Sequence, residues 1–139
     1  MNKQITSSVM MVRPVAFRYN EETAVNNYYQ RVLEGVSAFQ IQERALNEFD
    51  TFVALLRSKE IDVIVVDDTN HPCTPDSIFP NNWISFHQDG RVVLYPMYAD
   101  NRRLERRADV LTLLKQEYYY IINQVVDFSQ YENENIFLE

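Results

Sequence analysis

The run Ile61-Asp62-Val63-Ile64-Val65-Val66 constrains this chain more than any other stretch. Its β-branched residues follow one another almost without a break, so no polar face alternates with an apolar one. A strand of that kind must be covered on both sides. Its neighbours supply the cover. From Val36 to Lys59, the residues Phe39, Leu46, Phe49, Val53 and Leu56 recur at helical spacing and mark one stripe of an amphipathic helix. Ser8 to Val15 holds Val9-Met10-Met11-Val12 ahead of Arg13-Pro14, a short buried strand that proline ends. Strands alternating with helices place the chain in the α/β class.

The rest of the chain divides in the same way. Asn20-Glu21-Glu22-Thr23 is polar and acidic and predicts the start of a short helix running to about Leu33. Asp67 to Asp76, with two prolines and no periodicity, is an irregular loop. Trp83–His87 and Arg91–Tyr95 are strand-like, and Gln88-Asp89-Gly90 between them signals a hairpin. Arg102 to Tyr120 predicts a helix with Leu104, Ala108, Leu111, Leu114, Tyr118 and Ile121 on one face. Val125–Phe128 is a further strand, and Ile136-Phe137-Leu138-Glu139 the opening of another. A chain that stops inside an apolar run is expected to lack that strand's partners; the plain alternative is a short edge strand.

Composition narrows the function classes. The 139 residues suffice for one domain with a core of its own. With 13 basic against 20 acidic residues the net charge is −7, which disfavours nucleic acid. The one basic cluster, Arg102-Arg103 with Arg106-Arg107, is diluted by Glu105 and Asp109 and has the pattern of a solvated helix face. Two glycines, Gly35 and Gly90, are too few for a phosphate-cradling loop. A single cysteine, Cys73, excludes an internal disulfide and a multi-cysteine metal site. No apolar run reaches the ~18–20 residues of a membrane span. The N-terminus lacks the apolar core of a signal peptide, so no membrane association and a cytoplasmic location are expected.

The stretch Thr74 to Trp83 carries the densest chemistry. Asp76, Asn81 and Asn82 stand among Phe79, Pro80 and Trp83, a mixture that suits a pocket with few polar contacts. An Asx-rich turn leading into a hairpin explains the same residues equally well. His71-Pro72-Cys73 invites a thiolate–imidazole reading, and His87 a metal site, but the intervening proline does not make the side chains converge and no ligand spacing is present. Tyr118-Tyr119-Tyr120 fits helix-end packing better than a ligand platform.

Arg13-Pro14 after a first strand, then Asp76-x-x-Phe79-Pro80-Asn81-Asn82-Trp83, Pro96, Arg102-Arg103 and Phe137-Leu138-Glu139 follow in an order that resembles the guanidino-group-modifying superfamily. That superfamily includes arginine deiminases, dimethylarginine hydrolases and amidinotransferases; the citrulline-utilisation hydrolase branch is the most similar. The resemblance implies a pentein-like α/β-propeller of five ββαβ modules. Residues 1–139 would form a single N-terminal portion of it, about two modules plus the start of a third.

The resemblance also implies covalent catalysis by a cysteine thiolate on a guanidinium or ureido carbon, with a histidine as general acid and base and no metal or organic cofactor. Asp76 would contact the guanidino-like end of the substrate, with Asn81 and Asn82 beside it. Arg102 would pair with the substrate carboxylate, and Glu139 would orient the catalytic centre. The family's histidine and cysteine lie beyond the equivalent of Glu139, so the chain alone is expected to be silent. Where many relatives carry a carboxylate, Asn82 stands, and an amide suits a neutral ureido group better than a cation. The alternative is a non-catalytic binding or assembly module on the same scaffold, self-associating through exposed strand edges.

Overall fold

Two strands far apart in sequence lie side by side at the centre of the fold. In the computed structural model, which describes residues 6–25 and 27–138, β1 (Ser8–Arg13) pairs in parallel with β2 (Asp62–Asp67), from Ser8 opposite Asp62 to Arg13 opposite Asp67. The chain between them forms α1 (Ala38–Ser58). Ser37 caps it: the Ser37 hydroxyl accepts from the Gln40 N–H, and the Gln40 side chain accepts from the Ser37 N–H in return.

Both faces of β2 are covered. Val63 packs with Phe49 and Val53 of α1, while Ile64 and Val66 pack with Val110 and Leu114 of a second helix, α3 (Ala108–Gln116), on the other side. Phe39 does not join the stripe and is 74% exposed. At 3.6 residues per turn, the ten positions from Phe39 to Phe49 leave it about 80° around the helix.

The second sheet runs β3 (Ile84–Phe86), β4 (Arg91–Leu94), β5 (Gln124–Asp127), with the first pair antiparallel and the second parallel. Between β4 and β5 the chain forms a short helix, α2 (Asp100–Arg103), and then α3, so the order is that of a ββαβ unit with its helical part in two pieces. Gly90 turns the hairpin at φ 80°, and a Cβ there would lie 2.6 Å from the Asn123 side chain, so the turn needs glycine for both conformation and space. Trp83, Ile84, Val92 and Met97 form this sheet's core. Met10 and Phe86 pack against both this cluster and that of α3, joining the two sheets.

Four sequence expectations are corrected. Residues 20–25 and 27–33 form turns and irregular chain rather than a helix: the Ala24 N–H reaches the Asn20 carbonyl and the Asn27 N–H that of Thr23, and among the described residues nothing propagates. Asn20 and Thr23 are drawn instead to a distant carboxylate, and Tyr28 and Tyr29 bury no face that would stabilise helix.

The helix over 102–120 is broken into α2 (Asp100–Arg103) and α3, with Leu104, Tyr118 and Ile121 exposed. The arginines are not a solvated face. Arg102 is 4% exposed, Arg106 reaches the Tyr95 carbonyl and Glu132, and Arg107 the Asp67 carbonyl, so their partners lie in different directions and cannot be served from one straight helix.

Residues 136–138 form no strand; after the 3-10 turn Ser129–Glu134, Asn135 is left-handed (φ 55°) and the Leu138 N–H donates once, to Pro96. Among the described residues no helix is long and apolar enough to cross a membrane.

Candidate substrate-binding site

The loop after β2 is closed by a carboxylate. Asp68 is buried; its N–H donates to the Arg13 carbonyl, and its side chain accepts from the hydroxyls of Ser77 (2.6 Å) and Thr74 (3.1 Å). These bonds gather residues 68–77 into one turn and set the position of Asp76.

Asp76 is 6% exposed. Its Oδ2 accepts from Asn20 Nδ2 at 2.7 Å and from the Thr23 hydroxyl at 2.9 Å. Gln30 Nε2 donates to that hydroxyl at 2.6 Å, which leaves the Thr23 proton for Asp76. Among the described residues no donor reaches Asp76 Oδ1, and none of their buried side-chain polar atoms lacks a partner. Oδ1 therefore keeps accessible surface, and Asp76 lines a cavity of about 730 Å³.

Arg102 lines the same cavity from α2. Glu105, one turn on, accepts from its Nε and Nη2, each at 3.1 Å, and the Phe79 carbonyl accepts from Nη2 at 3.3 Å. Both charged side chains are almost wholly buried, at 5% and 1% exposure. The carboxylate holds the guanidinium in one plane, as a bidentate pair does. Asn82 completes the polar wall, and Phe79 and Tyr98 are the aromatic residues beside it.

The structure thus brings Asp76, Asn82 and Arg102 to one cavity. Asn81 goes elsewhere, into a second cavity of about 770 Å³ between β1 and β3 that Met10, Ile84 and Phe86 also line. Pro80–Asn82 is a 3-10 turn, in which neighbouring residues point about a third of a turn apart, so Asn81 and Asn82 cannot share a wall. Glu139 lies outside the described residues.

Among the described residues the first cavity is lined by no cysteine and no histidine. Cys73 is half-buried in the loop, and His87 Nε2 lies 3.1 Å from the Ser85 hydroxyl on the hairpin. No three of the described His, Cys, Asp and Glu residues cluster as metal ligands. Of the tyrosine run, only Tyr120 packs inward, edge-on to Phe86 with centroids 5.4 Å apart, and burial pushes its phenol above the ordinary range.

Sequence reasoning missed Asn20, Thr23, Asn101 and Glu105. The first three act on residues 53 to 81 positions away, which no local pattern announces. Glu105 had a signal, its i,i+3 spacing from Arg102, that charge counting treated as dilution.

A family model described as N,N dimethylarginine dimethylhydrolase, eukaryotic, matches residues 13–139. No curated protein and no solved structure matches the chain.

Proposed function

The chain belongs to the N,N dimethylarginine dimethylhydrolase family, and from that premise we propose that it builds the substrate-binding wall of a hydrolase acting on the ureido or guanidino group of a citrulline- or arginine-like amino acid. The observation that carries this reading is the meeting of Asp76, Asn82 and Arg102 on one cavity of about 730 Å³. Asp76 Oδ1 accepts from the N–H groups of the planar end. Arg102, held flat by Glu105, meets the ligand's carboxylate at the other.

Asn82 decides between the two planar groups. A guanidinium offers only donors and a positive charge, whereas a ureido group offers donors and one carbonyl. An amide side chain can donate to that carbonyl and leaves no buried cation unpaired. The ureido group of a citrulline-like ligand is therefore favoured, in line with the resemblance to the citrulline-utilisation branch.

Carbon–nitrogen cleavage in this scheme needs a thiolate nucleophile and an imidazole acting as a unit. Among the described residues neither lines the cavity; in this scheme the resemblance would place both beyond Glu139, which would orient them. No cofactor enters the scheme. The fold proposed for the whole is a pentein-like α/β-propeller of five ββαβ modules, to which this chain contributes about two and the start of a third; the order β3-β4-α2-α3-β5, two strands, a divided helical part and a strand, supports it.

A non-catalytic module that self-associates is the second reading. It is favoured by the outer edge of β5, where Val125 and Phe128 are exposed.

Calorimetric titration of the protein with L-citrulline and L-arginine tests the first reading. L-citrulline is expected to bind at least about tenfold more tightly, and Asp76→Ala to weaken it by at least about tenfold through loss of a charge-assisted bond. Tighter binding of arginine would remove the ureido preference, and no binding of either would remove the function. Citrulline turnover lost in Cys73→Ser would show that the nucleophile is in this chain after all. Oligomers that bind neither amino acid would favour the second reading.

A further inference from the structure

Asp76, Phe79 and Arg102 line the cavity, and a closed circuit of hydrogen bonds and one peptide bond joins them through Asn20 and Asn101. Asn20 Nδ2 donates to Asp76 Oδ2 at 2.7 Å. Asn101 Nδ2 donates to Asn20 Oδ1 at 2.7 Å, and Asn20 Nδ2 returns a longer bond to Asn101 Oδ1 at 3.2 Å. Asn101 is joined by one peptide bond to Arg102, whose Nη2 donates to the Phe79 carbonyl at 3.3 Å. The Phe79 N–H closes the ring on the Asp76 carbonyl at 3.0 Å.

The amide orientations are forced. Asp76 Oδ2 accepts from both Asn20 and the Thr23 hydroxyl, so the nitrogen of Asn20 faces it; the oxygen of Asn20 then faces Asn101 and requires that residue's nitrogen. Glu22 fixes the register by accepting from the Asn101 N–H at 2.9 Å.

We infer that Asn20 and Asn101 are positioning residues that set the span from Asp76 to Arg102 and so select the length of the aliphatic chain in the bound amino acid. This rests on the function proposed above, which places the ligand's two ends on those two residues. The two ends are tied together twice, through the amide pair and through Phe79. Cutting the amide pair removes the direct side-chain link from Asn101 of α2 to the Asn20–Asp76 pair, and the span relaxes. In a site with a fixed span, one extra methylene is expected to lower affinity by about 10- to 200-fold.

The test compares L-citrulline with L-homocitrulline, one methylene longer, by calorimetric titration of the full chain and of Asn101→Ala. Asn101→Ser is the second variant, and circular dichroism melts confirm that each is folded at the temperature used. Asn101 is half-exposed at the first turn of a four-residue helix, so its loss leaves the core intact.

The expected result is a preference for citrulline of at least about tenfold in the unaltered chain, falling to within about threefold in both variants. Equal weakening of both ligands, which a merely structural role would give, overturns the inference, as does an unchanged ratio. A preference already below threefold in the unaltered chain overturns it too. If the unaltered chain binds neither ligand, the proposed function fails and takes the inference with it, a result distinct from any confined to the variants.

Discussion

The two walls of the cavity are built on opposite principles. On one side Thr23, Asp76 and Arg102 are buried, as are Asn20 and Glu105, which bond to them, and each has partners contributed by a separate segment of chain or by the next turn. On the other side residues 27–33 present Tyr28 and Tyr29, 94% and 95% exposed, held by local turns such as the Gln30 N–H to the Asn27 carbonyl. The difference locates the chemistry. A group that must meet a ligand atom in one geometry is held by packing and hydrogen bonds to neighbours that are themselves fixed. A wall that contributes apolar surface needs only to be near.

The comparison breaks most sharply at Glu105. Taking away its carboxylate removes the charged partner of the buried Arg102 cation while Nη2 keeps the Phe79 carbonyl, and disrupting a buried pair from one side costs about 3 kcal/mol or more. Out of the ~5–15 kcal/mol that holds a domain together, that is a large share. Urea denaturation of Glu105→Ala should show it as a lower midpoint with an unchanged slope. A loss under about 1 kcal/mol would mean that the first wall is no more tightly determined than the second.

The aromatic wall gives the opposite expectation. Tyr28→Ala and Tyr29→Ala each remove a large side chain that is almost wholly in water, so each should change stability by no more than about 0.5 kcal/mol in the same denaturation. A loss above about 1.5 kcal/mol would show that the rings anchor the segment, and the contrast between the walls would have to be withdrawn.

What could be read from sequence follows the same division. β2 was legible because both of its faces are buried, and α1 because its stripe meets one partner sheet; the hairpin was legible because Gly90 has a single conformational role. Asp76 and Asn82 were legible as candidates because polar groups among aromatic residues are unusual, whereas Arg102 was legible only through the family resemblance. Their supports were not. Asn20 and Thr23 obey the local rules of a helix start, and what overrides those rules is a carboxylate more than fifty residues away. The arginine cluster failed for a related reason: charge spacing describes a helix surface only where the helix continues, and here each guanidinium has its own acceptor.

A second bidentate arginine–carboxylate pair sharpens the contrast, because it repeats the chemistry of Arg102–Glu105 without the burial. Arg13 donates through Nε and Nη2 to the two oxygens of Asp50, both at 2.8 Å, with side-chain exposures of 34% and 53%. The hydrogen bond from Arg13, helped by its charge and opposed by slight desolvation, holds the Asp50 carboxyl below its ordinary value of 3.8. A lowered folded-state value means that the pair stabilises above that ordinary value, and that the contribution is lost as pH falls below it through the folded value. Water screens the pair, so its worth is a few tenths of a kcal/mol, near the lower end of the ~0.2–1 kcal/mol range. Denaturation of Asp50→Asn beside the unaltered chain should show that small deficit at about pH 7 and its progressive shrinking as pH is lowered below the ordinary carboxylate value, and about 1 M salt at neutral pH should erase most of it. A deficit approaching that of Glu105→Ala would mean that geometry rather than burial sets the strength of both pairs.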